Sequence, residues 1–319
     1  MSNRSAFRGN IPSKLLIICG PTASGKSDLA LKLAHMLGGE IINADSMQVY
    51  AGMDIGTAKP SAEERSRVPH HLIDIVRPDQ PFSAADFAEV ADTAIRDIHS
   101  RGKRAIAVGG TGLYIRSLLK GLVDSPGDSG EIREALRAEA QERSNQEMWE
   151  ELHRVDPELA GQIHPNNLVR IIRALEVFRT TGIPLSRYQQ EHGFSAQRYR
   201  SLQIGMCVER PLLYSRIDKR VDRMVEQGLL QEVQQLLNAG YDPEKKAMRA
   251  IGYKEMTAYL AGEFGQEEAI RLIKRNTRHY AKRQLTWFNA DKDILWLEYP
   301  EKFDTILKHA IEFFEYGET

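Results

Sequence analysis

Apolar runs of strand length alternate along this chain with stretches of helical period. Leu15-Leu16-Ile17-Ile18-Cys19 is a continuous apolar run, and Asp28-Leu29-Ala30-Leu31-Lys32-Leu33-Ala34 after it has an amphipathic pattern. Gly38-Gly39 then suit a helix C-cap, and Glu40-Ile41-Ile42-Asn43 reads as a second strand. Residues 70–76, 104–108, 201–209 and 294–297 carry the remaining strand patterns. Ser83-Ala84-Ala85-Asp86 is a capping-box variant, and Phe87, Val90, Ala91, Ala94, Ile95 and Ile98 recur behind it at helical spacing. Helices are also predicted over 113–122, from Pro211, from about 249, over 270–283 and up to Phe314.

One stretch breaks the alternation. Asp124-Ser125-Pro126-Gly127-Asp128-Ser129-Gly130 is a turn-rich interruption, and residues 131–187 show only helical periods, with Leu136, Trp149, Leu152, Val155, Leu159 and Ile163 as candidate core positions. The pattern predicts an α/β protein: a core of parallel sheet flanked by helices, made from residues 1–123 and 200–319, with an all-helical insertion over 124–199.

Composition narrows the class. The chain has 319 residues and net charge −1, with an ordinary hydrophobic content, which excludes disordered and fibrous classes. No apolar stretch approaches membrane-spanning length, and residues 1–13 lack the apolar core of a secretory signal, so a cytoplasmic location is expected. The two cysteines, Cys19 and Cys207, form neither a disulfide framework nor a zinc pattern and read as buried apolar fillers.

The chemistry concentrates after the first strand. Gly20-Pro21-Thr22-Ala23-Ser24-Gly25-Lys26-Ser27 has the complete G-x-x-x-x-G-K-S spacing between a strand and a helix. Such a P-loop folds its backbone N–H groups around an anion and adds the positive end of a helix dipole. Lys26 supplies a full charge, and the Ser27 hydroxyl suits Mg²⁺. The loop therefore points to a core of P-loop NTPase type and to a polyphosphate or diphosphate ligand.

Other candidates are weaker taken singly. Asp45-Ser46 stand at the end of the second strand, where α/β sheets bind ligands, although an Asx turn explains the same pattern. Gly109-Gly110-Thr111-Gly112 is a second glycine-rich strand end; it reads equally as a plain turn. Lys59 either reaches a phosphate or is solvated, and His70-His71 read as structural. Arg170 and Arg173 lie one turn apart, and Arg216, Arg220 and Arg223 share one helix face, which suits either phosphate binding or a solvated surface. Arg271, Lys274, Arg275, Arg278 and Lys282 form a basic stripe in a stretch without acidic residues, with Trp287 and Phe288 behind it. Cations beside aromatics suit a nucleic-acid backbone and stacked bases.

Taken in order, G-P-T-A-S-G-K-S, A-D-S-M-Q-V-Y, G-M-D-I-G-T-A-K-P, V-G-G-T-G-L-Y, H-P-N-N, R-A-L-E-V-F, I-G-Y-K-E-M and K-R-Q-L-T-W-F run from Gly20 to Phe288. This series closely resembles the bacterial tRNA dimethylallyltransferases. The resemblance implies transfer of a dimethylallyl group from dimethylallyl diphosphate to N6 of adenine 37 of tRNAs reading codons that begin with U. It implies that residues 20–27 hold the diphosphate with Mg²⁺, aided by Arg216 and Arg220, and that Asp45 takes the N6 proton while Thr111 donates to the bridging oxygen. It implies tRNA contacts at Asp45, Ser46, Met47, Gln48, Thr111, Arg133, Val169, Arg170, Ile171, Ile172 and Arg173. Further contacts are implied at Arg249, Ala250, Ile251, Gly252, Tyr253, Lys254, Glu255 and Met256. The last set is Lys282, Arg283, Gln284, Leu285, Thr286, Trp287, Phe288 and Asn289. Ala51 and Val169 depart from the family's usual arginine and polar residue. No heptad or interface stripe appears, so a monomer is expected.

Two other readings stay open on the residues alone. A P-loop small-molecule kinase would use ATP and Asp45 as base, leaving the basic stripe and the insertion without a task. An RNA-binding protein with a nucleotide-regulated P-loop would do no chemistry at all.

Overall fold

The computed structural model describes residues 13–122, 130–193 and 197–315. The turn-rich break over 124–129 and the polar segment 1–12 lie outside the described residues. The chain divides into two compact units, residues 1–119 with 197–319, and residues 120–196.

The first unit begins with β1 (Lys14–Cys19), α1 (Lys26–Leu37), β2 (Gly39–Asn43), α2 (Ala62–Arg67), β3 (His70–His71), α3 (Ala84–Ser100), β4 (Arg104–Gly109) and α4 (Gly112–Lys120). The helical unit contributes α5 (Gly130–Glu142), α6 (Asn145–Val155), α7 (Pro157–Ala160), α8 (Leu168–Thr181) and α9 (Leu185–His192). The chain then returns through β5 (Arg200–Cys207), α10 (Arg210–Glu226), α11 (Leu229–Asn238), α12 (Tyr253–Leu260), α13 (Gln266–Phe288), β6 (Ile294–Glu298) and α14 (Phe303–Glu315).

Among the described residues, six parallel strands form one sheet in the order β3-β2-β4-β1-β5-β6. Its central strands are apolar at successive positions because both faces are covered. Leu15, Ile17, Cys19, Ala105 and Ala107 face one layer, which includes Phe87, Ala91 and Ile95 of α3. Leu16, Ile18, Ile106, Ile204 and Met206 face the other, against Leu29 and Leu33 of α1 and Ile306 and Ala310 of α14. Local signals set the helix ends. Ser83 accepts from the amides of Ala85 and Asp86 while Asp86 reaches back to the Ser83 amide, and Gly38 ends α1 in the left-handed region.

Three expectations change. The strand over 70–76 shrinks to His70–His71, because Leu72 (φ 63°) and Asp74 (φ 58°) turn the chain off the sheet and Val76 makes only a bridge to Tyr50. The helix expected over 113–122 stops at Lys120, where Gly121 takes positive φ. Cys19 is buried, but Cys207 is exposed at the end of β5.

The helical unit has its own core, in which Leu136, Met148, Leu152, Leu159, Ile171 and Leu175 pack together. Buried Asp156 caps α7 through the Leu159 amide and also accepts from the Ser186 amide.

Candidate active site

Parallel strands bring three loops to one edge of the sheet. Cys19 of β1 is level with Gly109 of β4, and β4 is level with β2 on its other side, Val108 opposite Asn43. The P-loop, the Asp45 turn and the Gly109–Gly112 loop therefore emerge side by side. They bound two adjoining chambers. The smaller, about 60 Å³, is lined by Thr22, Lys26, Ser27, Asn43, Asp45, Gln48, Gly109, Gly110, Arg220 and Gln284 among others. The larger, about 420 Å³, adds Ser46, Met47, Ile217, Val221, Met224, Lys246, Ala250, Ile251, Ile273, Thr277, Tyr280 and Arg283. Thr22, Asp45 and Arg220 line both and so mark their junction.

The small chamber is cationic. Lys26 donates to Pro21 O at 2.5 Å across its own loop. Burial, then the nearby Arg220 charge, pulls its pKa down to about 8, against the opposing pull of Asp45. Burial also lowers the Arg220 pKa, with Asp45 again holding the charge in place. Ser24 Oγ is buried in the loop with no hydrogen-bond partner among the described residues. Lys26 and Arg220 both line the small chamber, where an anion would sit.

Asp45 is in an Asx turn, its Oδ1 accepting from the Met47 amide at 2.8 Å. The turn and the site are thus one feature, since the bond fixes a carboxylate that still faces both chambers. Thr111 lines neither chamber. Its Oγ1 accepts from the Ser46 amide at 3.0 Å, and its hydroxyl meets the Tyr280 phenol. Burial raises the Tyr280 pKa above the usual phenol range, with Asp45 adding to the rise and the Thr111 contact opposing it.

A family model described as IPP transferase matches residues 48–291. The tRNA dimethylallyltransferase 1 of Pelobacter propionicus is 67% identical over 302 residues, covering 95% of this chain and 98% of the relative. The tRNA dimethylallyltransferase of Halothermothrix orenii is 48% identical over 98% of this chain and 96% of its own. Among solved structures, the full-length tRNA isopentenylpyrophosphate transferase of Bacillus halodurans is 43% identical with a TM-score of 0.71, covering 95% of this chain and 97% of that one. A eukaryotic dimethylallyltransferase acting on tRNA is 32% identical with a TM-score of 0.80, covering 95% of this chain and 80% of that one. The chain belongs to the IPP transferase family.

For this family member the expected site residues divide by where their side chains point. Of the P-loop residues, Thr22, Lys26 and Ser27 line the small chamber together with Asp45 and Arg220, whereas Gly20, Pro21, Ala23, Ser24, Gly25 and Arg216 line neither chamber. Lys59 neither reaches a phosphate nor is solvated: its side chain is 2% exposed and is held by Asp54, Asp74 and Tyr50 O. Several implied tRNA contacts are enclosed by the protein itself. Tyr253, Met256, Glu255, Gln284 and Phe288 are buried in the α/β unit, and Ile171 and Ile172 in the helical unit. Of these, Tyr253 lines the larger chamber and Gln284 the smaller, while the others line neither. Arg249, Lys254, Lys282, Arg283, Thr286 and Asn289 are exposed, as are Val169 and Arg170, and Ser46, Met47, Gln48, Ala250, Ile251 and Leu285 are half-buried. Gly252 is buried, and Trp287 lies with its ring edge against Gly112, where a Cβ would come within 2.2 Å. In the helical unit, Arg133 and Arg173 both donate to Glu176 Oε2.

The basic stripe is less one-signed than its own sequence. Lys274 pairs with Asp222 at 2.5 Å and Arg278 with Asp218 at 3.0 Å, both acids on α10, and Arg271 pairs with Glu268. Sequence reasoning also missed Tyr280 and Lys246. Tyr280 had a legible signal: Ala269, Ile273, Thr277, Tyr280, Gln284 and Phe288 form an inward face of helical period with a polar middle. Lys246 had none, since its loop carries no period; its ammonium donates to Phe82 O at 3.0 Å.

The residues present fit Mg²⁺ held largely by a substrate diphosphate. Ser27 and Asp45 both line the small chamber, while no group of three or more His, Cys, Asp or Glu side chains among the described residues forms a cage. Mg²⁺ characteristically takes one or two protein oxygens and completes its shell with phosphates and water.

Proposed function

We propose that this chain transfers a dimethylallyl group from dimethylallyl diphosphate to a tRNA, at N6 of adenine 37 in tRNAs reading codons that begin with U. The observation that carries the reading is the junction of a cationic chamber and a larger, partly apolar one at Asp45. The diphosphate occupies the small chamber, against the P-loop amides, Lys26 and Arg220. The prenyl carbon lies at the junction, and the flipped adenine enters the larger chamber. Mg²⁺, held by Ser27, would neutralise charge on the diphosphate.

An adenine amine is a weak nucleophile because its lone pair is delocalised into the ring. Asp45 accepts the N6 proton as the N–C bond forms and the C–O bond breaks. Charge moves onto the departing pyrophosphate, where Lys26 and Arg220 already point; donors fixed in advance stabilise that transition state without reorganising. Thr111 would donate to the bridging oxygen once its side chain turned from Tyr280 into the small chamber, which it does not line in this structure. Exposed Lys282, Arg283, Arg249 and Lys254 contact the RNA from the α/β unit, and Val169 and Arg170 from the helical one. The enzyme is taken to act as a monomer in the cytoplasm.

The test is a transfer assay with unmodified tRNA, dimethylallyl diphosphate and Mg²⁺, without ATP, followed by digestion and mass spectrometry of the nucleosides. One dimethylallyl group on an adenosine beside the anticodon is expected. Asp45→Ala should lower kcat about 100- to 10,000-fold while tRNA binding survives. Unchanged tRNA, with ATP consumed on a small acceptor, would transfer the assignment to a kinase.

A further inference from the structure

Gln284 lies on the helix that carries the exposed cations Lys282 and Arg283, yet it points the opposite way. It is only 5% exposed. Its Oε1 accepts from the Thr22 amide of the P-loop at 2.8 Å, and its Nε2 donates to Gly110 O at 2.9 Å. The orientation of the amide is fixed by its partners, because a backbone N–H only donates and a carbonyl only accepts. One buried side chain therefore joins the loop after β1 to the loop after β4, the two loops that flank the small chamber. The fit is close: a Cβ on Gly110 would lie 2.1 Å from Gln284 Nε2. Near relatives of the side chain do not serve. Glutamate lacks the donor when ionised, methionine lacks both groups, and asparagine is one methylene short.

We propose that Gln284 is a positioning residue for the reaction: it sets the spacing of the P-loop against the Gly110–Thr111 loop and makes no tRNA contact. This rests on the reading of the small chamber as the diphosphate site. Thr22 lines both chambers, so its placement decides where the bound diphosphate ends and the prenyl carbon begins. The Thr22 amide is also spent on Gln284, which leaves the phosphate cradle to the amides that follow it. Bound RNA on the outer side of α13 and diphosphate on its inner side would meet through this one side chain.

The experiment compares Gln284→Met with the wild type in the full-length protein. Expected are a fall of about 100-fold in kcat/KM for dimethylallyl diphosphate, the scale of a misplacement near 1 Å, and weaker calorimetric binding of inorganic pyrophosphate with Mg²⁺. The tRNA Kd should stay within about twofold. Weaker tRNA binding with unchanged pyrophosphate binding would make Gln284 an RNA contact and overturn the proposal, as would no change in either. Gln284→Glu covers a methionine variant that does not fold. Its buried carboxyl should be neutral at low pH and then donate to Gly110 O, so pyrophosphate affinity relative to wild type should recover as pH falls. Failure to recover also overturns the proposal. A wild type that binds pyrophosphate but leaves tRNA unmodified would defeat the transferase reading and leave the role of Gln284 standing.

Discussion

Lys26 shows how a site residue works against the stability of its own fold. Its folded pKa, near 8, lies below the ordinary lysine value of 10.5. Below pH 8 the folded protein must hold a charge that the unfolded chain hydrates freely. Between about 8 and 10.5 the unfolded state binds more protons, so stability rises with pH across that window. The buried charge costs about 3 kcal/mol. Lys26→Met removes that cost and loses the bond to Pro21 O, worth about 1 kcal/mol. The variant should melt at a higher temperature than wild type at pH 7, with the gap closing towards pH 10.5, and should bind pyrophosphate far more weakly. Calorimetric scans at the two pH values check this, and a lower melting temperature at pH 7 would sink it. Spacing encodes the P-loop, so the sequence singled out Lys26, which the structure places in the lining of the small chamber. It did not show that Lys59 is sealed between Asp54 and Asp74, because that depends on how a non-periodic loop folds onto itself.

α13 is one helix with two jobs, divided by face. Ala281 packs with Leu213 and Ile217 of α10, and the pairs Lys274–Asp222 and Arg278–Asp218 extend that seam. Cations spent on α10 have less to offer a phosphate. Glutamine at Lys282 or Arg283 should therefore weaken tRNA binding and reduce the slope of log K against log salt by roughly 0.7 to 0.9 each. Glutamine at Lys274 or Arg278 should change the slope much less. Filter binding at several salt concentrations measures it, and equal effects at all four positions would refute the division. Elements with strong local signals were legible: β1, the Ser83 cap and the start of α10 all stand close to their expected places. The α10–α13 pairing was not, since Asp218 and Asp222 are far from their partners in sequence and only the fold of the unit aligns them. The strand over 70–76 failed for the opposite reason: its apolar run is real, but the left-handed residues Leu72 and Asp74 override it.

At the scale of the molecule, alternating strands and helices implied a parallel sheet, but the strand order came from tertiary packing that no local pattern encodes. The order matters because it sets β1 between β4 and β5 and so puts the P-loop beside the Gly110 loop. The helical unit interrupts the chain without interrupting this sheet. The Arg198 amide donates to Leu119 O at 3.1 Å, so the α/β unit closes on itself at the two points where the chain leaves and returns. The core packed against α3 includes Tyr199 and Leu119, both inside the α/β unit. Replacing residues 120–196 with a short Gly/Ser linker should leave a folded protein, because the gap to be bridged is a single hydrogen-bonded step. That protein should unfold cooperatively and bind inorganic pyrophosphate within about threefold of wild type, since no lining residue of the small chamber is removed. It should transfer no prenyl group to tRNA, because the RNA contacts proposed at Val169 and Arg170 go with the deleted unit. Circular dichroism, calorimetry and the transfer assay read the three outcomes separately. An unfolded product would mean that the sheet needs the helical unit for stability, and full transfer activity would mean that the α/β unit alone recognises the RNA.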